Sequence, residues 1–387
     1  LAVFNAVRGE DVDYIDNRVS AADVFTEQAP AADYRGQSAA AVARDWLDGV
    51  SAEDASLTLA TNSLSGLLSR ISDGEVTGMA VDGYISGADV YVDANGNGVA
   101  DESEQQTTTD AGGAFTLGMD SPTGAILIAG GEDISTGESL LGALSAPAGA
   151  LVVTPLTTLM QALLDAGQAA GVAEAEGIII RGLELPEHDL STLDPIETAL
   201  ADEGAATDAV DLYAANASIM SVVYAGTALV EATGAEADAS VAGQAVFDAL
   251  TDLLAERSVD AAETLDLAGT ADLEAVLSSA AASLTLEEGE QDLFDAAISD
   301  VAGAIRGIND RVDDAAERFA DGRTSQADDA LSDIVRLQMV ARSDLMEDIT
   351  RLMELDSIRF LPARFTGTAL TRKSDLADPG LLTPEQS

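Results

Sequence analysis

Residues 90–109 read VYVDANGNGVADESEQQTTT. Oxygen-bearing side chains occupy positions 1, 3, 5, 9 and 12 of a loop starting at Asp93: Asp93, Asn95, Asn97, Asp101 and Glu104, with Gly98 at position 6. A hard cation such as Ca²⁺ takes ~6–8 oxygens at about 2.3–2.6 Å, and this spacing wraps one loop around one ion. Gly98 permits the sharp turn, and Glu104 can close the shell with both carboxylate oxygens. The pattern D-x-[DN]-x-[DN]-G-x₅-E is complete. A solvated Asn/Gly turn would use the same residue types; five ligand positions filled together favour a metal. Val90, Tyr91 and Val92 alternate before the loop and Thr107–Thr109 follow it, so it joins two strands. An EF-hand needs flanking helices. The expectation is therefore a calcium clip on a β-domain.

Outward from the loop, residues 75–153 are rich in Gly and in short alternating runs. They predict strands near Val76–Val81, Tyr84–Val92, Gln106–Thr109, Ala114–Leu117, Ala125–Ala129 and Leu151–Val153, with a hairpin turn at Asp110–Gly113. Several short antiparallel strands with one buried face predict a small β-sandwich.

The segment GYISGADVYVDANGNGVADESEQQTTTDAGGAFTL, residues 83–117, resembles the calcium-binding Cna-B/SdrD-B-like (carboxypeptidase-regulatory-like) sandwiches of large acidic bacterial surface proteins and adhesins. The shared features are the strand Val90–Val92, the loop Asp93–Glu104 and the hairpin Thr108–Phe115. The resemblance covers about residues 76–155; LVVTPLTTL (151–159) and GLELPEHDLSTLDPIETA (182–199) extend it more loosely to about 200. It implies an Ig-like or prealbumin-like fold and a calcium role for Asp93, Asn95, Asn97, Asp101 and Glu104. The Lys that forms isopeptide crosslinks in such domains has no counterpart, since Lys373 is the only Lys.

Before this domain, residues 1–74 predict a helical segment with Trp46 as a core anchor and a last helix ending at Asp73-Gly74. After it, Thr154 as N-cap and Pro155 at N1 start a helix that ends at Ala166-Gly167. Asp194-Pro195 starts another, and residues 207–232, 239–257 and 270–284 continue an Ala-rich bundle over 154–285. Phe294, Ile298, Val301, Ile305, Ile308, Val312, Ala315 and Phe319 then alternate spacings of 4 and 3, a heptad seam. Asp321–Ser325 breaks it, with Ser325 placed to cap a second stripe from Leu331 to Leu352. Residues 286–357 thus predict an antiparallel helical hairpin, lying on the bundle or projecting to meet a partner. Residues 358–387 read as an extended tail. The fold class is α+β multidomain: β-sandwich, Ala-rich bundle and C-terminal hairpin.

Acidic residues outnumber basic ones 69 to 18 in 387 residues, a formal charge of −51. Such a field disfavours nucleic acid and anionic membranes as partners. The last 87 residues hold 11 of the 18 basic residues against 16 of the 69 acids, so this end could dock on the acidic surface of another copy. Cys is absent, which excludes disulfides and thiolate chemistry. No run approaches the ~18 apolar residues of a membrane span. The chain starts at Leu1, which reads as a processed or partial product.

The single His188 has no nucleophile motif beside it, and there is no Walker loop and no G-x-G-x-x-G. The expectation is a non-enzymatic, exported, calcium-stabilised structural or adhesive bacterial surface protein from a saline or marine setting, self-assembling through its helical hairpin. The alternative is a binding module that recognises a glycan or protein through sandwich loops.

Overall fold

The computed structural model describes residues 71–72, 75–98, 100–118, 124–201, 204–258, 263–380 and 382–383. The expectations for residues 1–70, Trp46 included, lie outside them. The described residues belong to two units, one ending at Thr77 and one running from Gly78. In the first, Ile71–Ser72 (β1) pairs antiparallel with Val76 and Glu75 at the start of Glu75–Ala80 (β2). Ile71 and Ser72 are therefore strand, not the end of a helix.

From Gly78 on, the β-elements are Ile85–Ser86 (β3), Asp89–Asp93 (β4), Gln106–Thr108 (β5), Ala114–Gly118 (β6), Ala125–Ala129 (β7), Glu132–Asp133 (β8), Glu138–Ser139 (β9), Ala143–Ala146 (β10) and Val152–Val153 (β11). The expected strand Tyr84–Val92 is split by Gly87. One sheet runs β10-β7-β4-β5, all antiparallel. Its register stacks Val90, Ile128 and Leu144 in one row and Val92, Ile126 and Ala146 in the next, all buried. Tyr91 and Leu127 fall on the other face by the two-residue period. β10, with only Ala, Leu and Ser, carries no strand signature in the sequence. A second sheet pairs β11 with β2 in parallel, with β6 also beside β2, and a third runs β3-β8-β9. The architecture is mixed α+β with small, mainly antiparallel sheets; β2–β11 departs from the all-antiparallel expectation.

The helices are Pro155–Asp165 (α1), Val172–Gly182 (α2), Pro195–Ala201 (α3), Ala206–Ala232 (α4), Ala239–Arg257 (α5), Thr270–Ser283 (α6), Glu288–Ala320 (α7), Ala327–Met339 (α8), Met346–Glu354 (α9), Leu361–Arg364 (α10) and Gly367–Leu376 (α11). Thr154 caps α1 as expected: its side chain accepts from the Thr157 N–H while Thr157 Oγ1 accepts from the Thr154 N–H. Asn216 of α4 accepts from the Leu156 N–H, satisfying another donor of that first turn.

α4 is the axis of the unit. Almost every side chain from Ala209 to Val230 is buried, and α1, α3, α5, α6, α7, α8 and α9 all touch it. Among the described residues it alone is long and apolar enough to cross a membrane, but 94% of that stretch is buried inside the protein. An apolar surface all round marks a helix wrapped by others.

The heptad stripe forms α7, and it is spent inside the unit. Phe294, Val301, Ile305, Ile308 and Val312 are fully buried, and α4 is the main element against α7. No free seam is left for a projecting arm. The second stripe is buried too, but a π-helical stretch, Val340–Leu345, interrupts it between α8 and α9. Gln326, not Ser325, is the N-cap of α8.

Residues 358–376, expected as part of an extended tail, are mainly helical. After a 3₁₀ turn at Ile358–Phe360, α10 and α11 fold onto α7 and α8, burying Leu361, Phe365 and Leu370. Gly307 of α7 makes room: a Cβ there would run into the Phe365 carbonyl. Gly307→Ala should therefore destabilise the protein by about 1–3 kcal/mol by overpacking, read from denaturant unfolding. The basic residues of this end are largely committed internally. Asp348, buried, takes Arg351 at 2.5 Å and Arg364 at 2.6 Å, and Lys373 pairs with Asp344. Residues on both sides of positions 153, 285 and 357 share one hydrophobic core.

Candidate metal centre

β4 and β5 are neighbours, with Val90 opposite Thr107 and Tyr91 opposite Gln106, and the Val92 N–H donates to the Gln105 carbonyl. The loop from Asp93 to Glu104 thus closes a hairpin of adjacent antiparallel strands. Asp93 is also fixed from the other side, opposite Ala125 of β7.

Of the five expected ligands, Asn95, Asn97 and Asp101 meet side chain to side chain, while Asp93 and Glu104 each hold backbone N–H groups of the same loop. The Asp93 carboxylate accepts from the backbone N–H groups of Gly96 (2.7 Å), Asn97 (3.1 Å) and Gly98 (2.7 Å). This folds the first half of the loop around its own first residue. Gly98 sits at φ +71°, a conformation that costs any residue with a Cβ. Glu104 spans the loop mouth, taking the Ala94 N–H on one oxygen at 2.9 Å and the Asp101 N–H on the other at 3.1 Å. Asp101 Oδ2 accepts from Asn95 Nδ2 at 2.7 Å and Asn97 Nδ2 at 3.0 Å. Asp93 and Glu104 are buried although both are acids. Their concentrated charge is felt by Tyr91: burial first, then Asp93 and Glu104, push its phenol above the ordinary value.

As a donor set this is all oxygen: three carboxylates and two amides, the chemistry of a hard cation. The carboxylates alone are not clustered tightly. Among the described residues no three His, Cys, Asp or Glu side chains form a group that could hold a metal. The two Asn side chains are therefore necessary members of any shell here. The donor set fits Ca²⁺ by its chemistry and by its confinement to one loop.

A second polar constellation has no counterpart among the sequence expectations. Asp82, wholly buried, lies in the turn after β2. Tyr224 of α4 donates to its Oδ2 at 3.1 Å, and Gln338 of α8 donates to its Oδ1 at 3.1 Å. Tyr213 donates to Gln338 Oε1 at 2.9 Å. Asp133 beside it accepts from the Ser135 N–H and hydroxyl and from Thr136 Oγ1. Burial, and secondarily the Asp133 charge, pushes Asp82 up to about 7, against the lowering effect of the Tyr224 hydrogen bond. Asp133 is also raised, chiefly by burial. These residues tie the β-elements to the helices across 142 and 256 positions of sequence. No local pattern announces such a network; only the isolated acid in an apolar run, AVDGYI, hints at it.

His188 Nε2 lies 2.8 Å from Asp208 Oδ2, a hydrogen-bond contact near the surface. Tyr84 and Phe115 are buried, and Tyr91, half-buried, donates to the Gly98 carbonyl. Comparison with known proteins finds no matching family model, no matching curated protein and no matching solved structure.

Proposed function

We propose that Asp93, Asn95, Asn97, Asp101 and Glu104 bind one Ca²⁺ ion, and that the ion staples β4 to β5. The observation that carries this reading is that one hairpin loop sets Asn95 and Asn97 on Asp101 and folds its own backbone N–H groups onto Asp93 and Glu104. Binding would require the Asn95 and Asn97 amides to turn their oxygens inward, trading two hydrogen bonds to Asp101 for two metal bonds. In return the cation neutralises charge in a chain with a formal −51. Because strands and not helices flank the loop, binding has no hinge to open, so its output is rigidity and not signalling.

On this reading the β-region is a small sandwich of the Cna-B-like kind, supported by the buried rows at Val90 and Val92 and by the loop itself. The protein is then an exported, non-catalytic structural or adhesive component of a bacterial cell surface, where free Ca²⁺ is high enough for a weak site to fill. Neighbours in a layer, filament or adhesin would meet it through surfaces other than the heptad seam. The test is thermal unfolding in Ca²⁺ and in chelator. At ~100-fold excess over Kd, Ca²⁺ should add about 2.7 kcal/mol and raise Tm by about 5 °C, and Asp93→Ala should abolish the difference. Identical melts of the unaltered protein in both buffers would sink the proposal.

A further inference from the structure

A cleft of about 430 Å³ opens between α4, α7 and the segments following α2 and preceding α6. Five carboxylates line it, Glu184, Asp211, Asp266, Asp313 and Glu317, and among the described residues no Arg, Lys or His does. None of the five is in an ion pair among the described residues, whereas the pocket along α8 and α11 balances Arg311, Arg318 and Arg336 against Asp333, Asp375 and Asp378. Unpaired acids facing one another in a partly dry groove repel. Accordingly Asp313 is pushed up to about 6 by burial and then by Asp310, Asp266, Glu317 and Asp211, and Asp211 is pushed up to about 6 by burial and by Asp208.

A second feature points to a missing ligand. Ser218 of α4 lines the cleft, is 3% exposed, and its Oγ has no hydrogen-bond partner among the described residues. A helical Ser ordinarily returns its hydroxyl to a carbonyl one turn back, as Ser221 does to Ala217. Ser218 does not. The cleft is also braced: Asn309 of α7 donates to the Leu267 carbonyl at 2.7 Å and to the Ser218 carbonyl at 3.3 Å, tying two of its sides together.

The occupant follows from how the charges are spread. No three of these acids draw close enough to ligate a metal ion. Leu185, Pro186, Leu265 and Ala214 line the same cleft. Separated carboxylates on an apolar lining match a cation whose charges are carried on a methylene stem. We propose that this cleft binds an organic di- or polyammonium ion, with its amino groups on Asp211, Asp313 and Glu317, its stem against the apolar lining, and its inner end at Ser218 Oγ.

The experiment is calorimetric titration of the full chain with spermidine in saturating Ca²⁺, so that the Asp93 loop is already filled. The comparison is Asp211→Asn/Asp313→Asn against Asp328→Asn/Asp329→Asn, which removes the same charge from the start of α8, away from the cleft. Saturable one-site binding that weakens at least tenfold in the cleft variant and less than twofold in the control supports the site. Binding at pH 6 should also release protons, seen as a dependence of the heat on buffer ionisation. Equal weakening in both variants would mean a diffuse ion atmosphere, and Mg²⁺ competing as well as spermidine would mean a simple charge sink; either overturns the proposal. The cleft variant should melt no lower than the unaltered protein, because it loses only mutually repelling charges.

Discussion

Asp82→Asn should flatten the pH dependence of stability between about 4 and 7. Asp82 titrates near its ordinary 3.8 when unfolded and at about 7 when folded. In that window the folded protein holds a proton that the unfolded chain has released, so stability falls as pH rises. Below the window the group contributes nothing. Above it the full cost of a buried charge is present, about 4 kcal/mol for a shift of roughly three pH units. The amide that replaces the carboxyl keeps an oxygen for the Tyr224 or Gln338 donor and never charges. At pH 8 the variant should therefore be the more stable protein by a few kcal/mol, and at pH 4 equal or slightly worse. Asp211 and Asp313 add slope of the same sign, but they are present in both proteins and cancel in the difference, whereas Asp133, whose charge raises Asp82, loses that repulsion in the variant and flattens the curve further. Denaturant unfolding at pH 4 through 8 reads this directly. Parallel stability curves would show that Asp82 is ionised throughout.

The second large effect is expected at the C-terminal end. Phe365 is fully buried against α7, with Lys373 5.0 Å from its ring centroid. Phe365→Ala should cost about 3–5 kcal/mol, the usual range for a buried aromatic. It should also release α11, opening that helix itself to protease. Phe360→Ala, at a ring 54% exposed, should cost under about 0.5 kcal/mol. If the two variants unfold alike, residues 361–376 are not part of the core.

These two sites also mark where local sequence stops being informative. Thr154-Pro155 specifies its helix start because cap and first turn are neighbours in the chain, and the structure forms that cap as read. The Asp93–Glu104 loop folds on itself for the same reason: twelve consecutive residues carry their own turn instructions. The 4-3 stripe from Phe294 announces a long helix with one buried face. It does not say what covers that face, because an a/d repeat is satisfied equally by a second copy or by α4. The C-terminal segment reads as a tail because Pro362 and Gly367 interrupt any periodicity. Its place is set by Gly303 and Gly307, one turn apart on α7, where the Pro362 ring, the Phe365 carbonyl and the Thr366 side chain approach closely. That groove lies at positions that a heptad pattern treats as filler. Asp82 is hidden for a simpler reason, since its partners Tyr224 and Gln338 are supplied by distant helices.

Everything proposed for the β-region turns on whether the hairpin loop holds calcium. Isothermal titration of the metal-free protein with Ca²⁺ tests that most directly. One ion should bind per chain through the loop, and Asp93→Ala and Glu104→Gln should each remove that isotherm while Asp110→Ala, in the next turn, leaves it unchanged. The absence of Ca²⁺ heat in the unaltered protein, or a binding isotherm untouched by both loop substitutions, would contradict it.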